Sequence, residues 1–376
     1  MTKQSARLTV CVGGGGVGKT TSSAALGLHM ARAGARTLVI TVDPARRLAD
    51  ALGVELGQAT RPAPIDPRAQ DRLFARMPDP RSSMDDFTLW LFTDEERRRR
   101  FRENRAVQEM ADSIAGIHEI LTVTLLQHEV DSGDYDEVVL DTAPSRHALA
   151  FLTYPNRLLD LLEARALSWL AAAADNSERG EDESSSATGA IFAWGKARLE
   201  ALFARVIGLP GLRSLSSMFG DLFTVRERWA ALARRTQVML ADPATRYLLV
   251  GAPTGGALDD IIYLAGSLER QKLRPTAIVL NRSEQEPPAY AREVQALLDK
   301  DPSLLSEREQ QILRQTLEVL ASEHAARKAA ADEATHQIGK RLPRGVPVVR
   351  LPFVGPASPR DIVMSLADEW SRIKLA

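Results

Sequence analysis

The chain has 376 residues with 48 basic and 49 acidic side chains, so its formal charge is −1. That balance excludes nucleic-acid or anionic-membrane binding driven by bulk charge, and 44% hydrophobic with 26% charged residues excludes whole-chain disorder. The apolar runs fall short of the roughly 18 residues that a spanning helix needs, so stable membrane insertion is not expected. The start, Met1-Thr2-Lys3-Gln4-Ser5, leads into a strand-like stretch rather than a secretory leader. A single cysteine, Cys11, excludes an internal disulfide and a multi-cysteine zinc site, and the reading is a cytoplasmic protein.

In chain order, residues 7–12 alternate with β-branched side chains and run into Gly13-Gly14-Gly15-Gly16-Val17-Gly18-Lys19-Thr20, followed by small and apolar residues at helical spacing. Read as G-x4-G-K-T between a strand and a helix, this is a phosphate-binding loop. Glycines let backbone N–H groups converge on phosphate oxygens, and the helix N-terminus adds the positive end of its dipole. The expected phosphate-binding set is Gly13, Gly15, Gly16, Val17, Gly18, Lys19, Thr20 and Thr21, with Lys19 on the β/γ-phosphates and the Thr20 hydroxyl on Mg²⁺.

The next strand, 37–42, ends in Asp43-Pro44-Ala45. A carboxylate at that edge can orient an attacking water; equally, Asp43 can cap a helix beginning at Arg46. Residues 137–140 form a short apolar strand ending in Asp141, the pattern of a Walker-B carboxylate that holds the Mg²⁺ shell. The loop from there to Tyr154-Pro155 then answers to the γ-phosphate. Three more strands are read at 246–250, at 276–280 ending in Asn281, and at 346–351 leading to Pro352-Phe353. Strands alternating with helices predict an α/β fold, a mostly parallel, doubly wound P-loop sheet.

A helical subdomain interrupts it. The core is read as 1–84, 131–156 and 236–376, and the insertion as 85–130 and 157–235. Within the insertion Leu199, Leu202, Phe203, Val206 and Ile207 repeat at amphipathic helical spacing, and the acidic, serine-rich 175–186 predicts a mobile loop at about 175–190. Eleven of the twenty aromatic residues fall in the insertion: Phe87, Trp90, Phe92, Phe101, Trp169, Phe192, Trp194, Phe203, Phe219, Phe223 and Trp229. They read either as a subdomain core or as an apolar surface for a helical client. Arg97-Arg98-Arg99-Arg100 after Asp94-Glu95-Glu96 reads as a solvated helix face with i,i+4 ion pairs, not as a nucleic-acid site. Residues 303–342 hold a long helical pattern, with Gly339 placed to end it.

These strings resemble the arsenite-pump-driving ATPases and the related ATPases that target tail-anchored membrane proteins. The family's G-K-G-G-V-G-K-T corresponds to Gly13–Thr20, its switch I D-P-A-H-x-L to Asp43–Leu48, and its switch II to Asp141–Pro155; its P-G-x-x-E is echoed by Ala115–Glu119. The resemblance implies ATP and Mg²⁺ as ligands, a dimer, water activation by Asp43, switch residues Pro144, Arg146 and His147, and adenine contacts from Asn281, Pro352 and Phe353. It also implies that the helical insertion takes a client helix or a partner protein.

Departures bear on mechanism. Gly14 stands where the family carries a signature lysine that reaches across a dimer to the partner's phosphates. Arg146, Arg46 or Arg47 could take over that charge, although Arg146 also reads as a solvated loop side chain. A heterodimer with a lysine-bearing paralogue and slow hydrolysis in a homodimer are the other solutions. No Cys-x-x-Cys exists for a zinc staple, and the metalloid-binding cysteines of arsenite-pump ATPases are absent, so no zinc and no arsenite activation are expected. Only Pro253, Leu258 and Asp260 echo the family's P-E-x-L-x-x-x-E. The expected function is an ATP-hydrolysing dimeric conformational switch; the alternative is an ATP-binding regulatory subunit with weak or no hydrolysis.

Overall fold

The computed structural model describes residues 5–42, 46–56, 59–78, 80–108, 115–143, 149–163, 211, 214–215, 217–284, 293–294, 296–297, 305–342, 345–355 and 357–371. In chain order the elements are β1 (Arg7–Gly13), α1 (Lys19–Arg32), β2 (Thr37–Thr41), α2 (Arg47–Leu52), β3 (Arg61–Pro62), β4 (Leu73–Arg76), α3 (Pro80–Leu91), α4 (Glu95–Glu103), α5 (Ala115–Asp131), β5 (Glu137–Asp141) and α6 (Tyr154–Glu163). There follow α7 (Arg226–Ala241), β6 (Arg246–Gly251), α8 (Gly255–Arg270), β7 (Ala277–Leu280), α9 (Glu307–Arg341), β8 (Val348–Arg350) and α10 (Pro359–Trp370). The chain divides into two compact units: Met1–Met77, Ser132–Leu149 and Pro243–Ala376 form one, Pro78–Asp131 and Ala150–Asp242 the other.

The first unit carries an eight-stranded sheet in the order β3-β4-β2-β5-β1-β6-β7-β8. All pairings are parallel except β3 with β4. Buried on both faces, the central strands need continuous apolar runs: Leu38, Val39 and Ile40 of β2 and Val138 and Val139 of β5 have no solvent exposure. Helix α1 is so rich in small residues that most of its circumference is buried, and α10 packs along it through Leu366, Ala367 and Trp370. The alternation of strand and helix predicts this α/β architecture, and the sheet bears it out.

Two strands lie outside the sequence expectation. β4 is only four residues, and β3 is a two-residue edge with Pro62 on it, where a missing N–H donor is tolerated. Neither offers the long apolar run that marked the others. β8 is shorter than the expected 346–351, beginning only after Pro347, which has no N–H for the ladder. α9 begins on a capping box formed by Ser306 and Glu309 and runs through Gly339 to Arg341, rather than ending at the glycine.

The second unit is helical among its described residues. Phe87, Leu91, Phe92, Phe101, Leu121, Met218 and Leu222 form one buried cluster, with Trp229 and Phe219 packed against it. Phe87 meets Trp229 edge-on at 5.6 Å between ring centroids, and Phe92 lies 5.0 Å from Phe101. These aromatics therefore act as core. Trp169, Phe192, Trp194, Phe203, the repeat at 199–207 and the acidic loop at 175–190 lie outside the described residues. α7 crosses the expected boundary at 235 as one unbroken helix.

The basic run makes contacts beyond the i,i+4 pairs expected of it. On α4 Arg98 pairs with Glu95 at i,i+3 (3.7 Å), whereas Arg100 reaches the buried Asp221 and Arg102 reaches Asp85 at 2.6 Å. This face is partly a tether between helices rather than simply solvated. Among the described residues no helix is long and apolar enough to cross a membrane.

Candidate nucleotide site

Strand register brings the site together. Cys11 of β1 and Thr41 of β2 are both level with Asp141 of β5, so three parallel strands end side by side where β1 passes into the glycine loop. Ligands bind at that edge of parallel sheets. Gly18 closes the loop at the N-cap of α1 with φ 85°, a left-handed conformation that disfavours side chains. A Cβ there would also sit 2.0 Å from Asn281 Nδ2. The N-cap, Gly18, has no side chain with which to cap α1, and this leaves the first N–H groups of the helix to a ligand.

Lys19 and Thr20, in the first turn of α1, are 4% and 7% exposed. Lys19 Nζ lies 3.6 Å from Asp141 Oδ1, and Asp141 itself has no solvent exposure. Thr41 Oγ donates to Asp141 Oδ2 at 2.9 Å, and Ser23 Oγ lies 3.5 Å from Oδ1 while donating to the Lys19 carbonyl at 3.0 Å. Thr142 Oγ donates to the Cys11 carbonyl at 2.9 Å, tying β5 to β1 just past the carboxylate. Burial pushes the Cys11 thiol up to about 12, with the Asp141 charge adding to the shift against opposing contributions from Ser23 and Lys19. Cys11 is a core thiol here.

Of the residues expected from the sequence, Gly13–Thr21, Asp141 and Asn281 converge. Asn281 is buried, and its Nδ2 donates to the Val17 carbonyl at 2.9 Å, so it clasps the glycine loop directly. Leu351 N–H donates to the Leu280 carbonyl and Ser283 N–H to the Leu351 carbonyl, placing Pro352 and Phe353 at the same end of the sheet as Asn281. Phe353 is 44% exposed with the Arg327 guanidinium 5.2 Å over its ring. Asp43, Pro144, Arg146 and His147 lie outside the described residues. The capping alternative for Asp43 is corrected: Arg46 occupies the N-cap of α2, and it makes no side-chain cap bond. Thr41 and Ser23 escaped the sequence reading because their contacts to Asp141 depend on strand register and helix placement.

Position 14 has its own neighbour. A Cβ on Gly14 would lie 2.4 Å from Asp260 Oδ2, so a carboxylate from α8 holds the space where any side chain would begin.

Residues 6–176 match the family model described as anion-transporting ATPase. The match, less than half of the chain, makes this part similar to that family. Among curated proteins it is similar to the ATPase get3 of Schizosaccharomyces japonicus, 36% identical over 150 residues, and to that of Schizosaccharomyces pombe, 35% identical over 150 residues. Each match covers 40% of this chain and 44% of the relative. The ATPase ASNA1 homolog 2 of Paramecium tetraurelia is 34% identical over 151 residues, 39% of this chain and 44% of its own. The chain thus aligns with less than half the length of these relatives. The matched part contains the glycine loop, Asp141 and the whole segment Asp43–Pro155.

The donor set fits Mg²⁺. Among the described residues no three His, Cys, Asp or Glu side chains cluster to hold a metal by themselves. Mg²⁺ needs no such cage, since it keeps several waters and takes one or two oxygen donors plus phosphates. Thr20 and the buried Asp141 supply hard oxygens of that kind.

Proposed function

We propose that the chain binds ATP with Mg²⁺ at the glycine loop and hydrolyses it, working as a dimer whose nucleotide state is passed to the helical unit. The observation that carries this is the convergence of Lys19, Thr20 and Asp141 at the carboxyl ends of β1 and β5. Gly13, Gly15, Gly16, Val17 and Gly18 present backbone N–H groups to phosphate oxygens, and Thr21 continues that set into α1. Lys19 exchanges its contact with Asp141 for the β/γ-phosphates. Thr20 and, through water, Asp141 hold Mg²⁺, which neutralises charge building on the phosphates when bound. Asp43 orients the attacking water, and the stretch holding Pro144, Arg146 and His147 responds to the γ-phosphate. Asn281, Pro352 and Phe353 form the adenine end. The helical unit receives the signal and takes an apolar helix or a partner protein.

A second reading is an ATP-binding regulatory subunit with weak hydrolysis, paired with a lysine-bearing paralogue. Gly14, with Asp260 in its side-chain space, favours it. Mg²⁺-dependent phosphate release separates the two. The hydrolytic reading expects turnover that Asp43→Asn abolishes; ATP binding without turnover, alone or with a lysine-bearing paralogue, overturns it in favour of the regulatory one.

A further inference from the structure

β2 is an apolar run between two buried threonines. Thr37 at its start gives its hydroxyl to the nearby Ala35 carbonyl at 3.2 Å, whereas the Thr41 hydroxyl at its end reaches across to the neighbouring strand. Leu38, Val39 and Ile40 have no exposure and no polar side-chain atom, yet Thr41, equally buried, places a hydroxyl in the same interior. Burying a hydroxyl costs free energy unless it is hydrogen-bonded, and valine would fill the same shape without that cost. The hydroxyl has a partner of particular kind. Thr41 and Asp141 are in register on adjacent parallel strands, so their side chains stand on one face of the sheet. Thr41 Oγ lies 2.9 Å from Asp141 Oδ2, and an ionised carboxylate can only accept, so Thr41 donates. The other oxygen, Oδ1, faces Lys19 Nζ at 3.6 Å and Ser23 Oγ at 3.5 Å. The two carboxylate oxygens are thereby given different work.

We propose that Thr41 is a positioning residue: its hydroxyl fixes Oδ2 and so aims Oδ1 of Asp141 at the loop side, where the Mg²⁺ water shell is to be held. This rests on the reading of the site as a Mg²⁺–ATP site. Hydrogen-bond partners behind a metal-holding group set its orientation, and removing one typically costs 10–100-fold in metal affinity.

The test titrates a fluorescent ATP analogue into the full chain at a series of Mg²⁺ concentrations and in EDTA. In Thr41→Val the Mg²⁺ concentration giving half of the metal-dependent tightening rises about tenfold or more. Affinity in EDTA stays within about twofold, because the metal-free nucleotide does not use Asp141, and Thr41→Ser restores the wild-type Mg²⁺ response to within about threefold. A merely structural role would lower both affinities together. The assignment is overturned if Thr41→Val keeps the wild-type Mg²⁺ response, if its EDTA affinity falls in parallel, or if Thr41→Ser is as defective as Thr41→Val. Should Thr41→Val fail to fold by circular dichroism, Thr41→Cys keeps the volume with only a weak donor and carries the same expectations. A wild-type chain that binds no nucleotide, or binds it without any response to Mg²⁺, overturns the site reading along with this one. A Mg²⁺-responsive wild type with an indifferent Thr41→Val overturns this one alone.

Discussion

Lys19 Nζ stands 3.6 Å from Asp141 Oδ1 in an interior where neither side chain exceeds 4% exposure. The two residues come from the first turn of α1 and the last position of β5, elements that meet only because β1 and β5 pair in register. A buried ammonium and carboxylate depend on each other, and removing one leaves an uncompensated buried charge. Lys19→Met is expected to lower stability by about 3–5 kcal/mol, with part of the loss regained in Lys19→Met/Asp141→Asn. Chemical denaturation of the three chains measures it. Additive losses in the double variant would contradict the pairing.

Gly14 and Asp260 predict a second coupling. Because Asp260 Oδ2 lies 2.4 Å from the position of a Gly14 Cβ, Gly14→Ala is expected to displace that carboxylate. The cost is up to about 1 kcal/mol, the low end for overpacking, since the atom in the way is the far end of a half-buried side chain. Adding Asp260→Gly should return most of that in a double-mutant cycle. The same geometry bears on restoring the family's lysine. Gly14→Lys alone meets the carboxylate and is held by it, so faster phosphate release is expected only from Gly14→Lys/Asp260→Ala. A rate increase in the single variant equal to that in the double would contradict this.

Asn281 is tied to the glycine loop by one directional bond, Nδ2 to the Val17 carbonyl. Asn281→Asp keeps the shape but sets a carboxylate oxygen against a carbonyl oxygen. It is expected to weaken nucleotide binding more than Asn281→Ala does, since the alanine only removes a bond worth about 1 kcal/mol net. Titration with ATP and with inorganic triphosphate checks the origin of the loss. A loop effect weakens both ligands, whereas a loss confined to ATP would show that Asn281 acts only on the base.

Two buried carboxylates of the first unit predict opposite pH behaviour. Burial works against the charge on Asp66, yet the Arg68 amide and the Arg32 guanidinium, at 2.9 and 2.7 Å, outweigh it and hold the group below the usual carboxylate range. Its folded pKa is below the unfolded value of about 3.9, so its stabilisation is present above that value and lost as pH falls through the folded one. Glu137 runs the other way: burial raises it despite Arg246 and Arg7. Its contribution is fully present below its unfolded value of about 4.3 and declines as pH rises through the raised one. Thermal melts from pH 3 to 8 should show a shallower acid loss in Asp66→Asn. In the same range Glu137→Gln should be at least as stable as the wild type at neutral pH. The reverse pattern would contradict both assignments.

Much of this site was legible because its chemistry sits in short contiguous strings. Gly13–Thr20 and Asp141 declare themselves by residue type and by the strand before each, and the sheet placed them together. Thr41 and Ser23 were invisible because a hydroxyl gains its role only from the strand or helix beside it. Asp260 was noted only as a retained acid, since its approach to Gly14 is set by where α8 lies against β1. β3 and β4 were missed because four residues of β4 and two of β3 carry no periodicity to read. The insertion's aromatic excess was legible as composition, but only packing shows Phe87, Phe92 and Phe101 buried together.

The most direct measurement is a calorimetric titration of ATP with Mg²⁺ into the wild-type chain and into Lys19→Gln, both checked for folded secondary structure. A nucleotide site built on Lys19 predicts saturable binding of one ATP per chain, weakened about 100-fold or more in Lys19→Gln, the scale expected when a charge-assisted contact to phosphate is lost. No saturable binding by the wild type, or equal binding by the two chains, would contradict it.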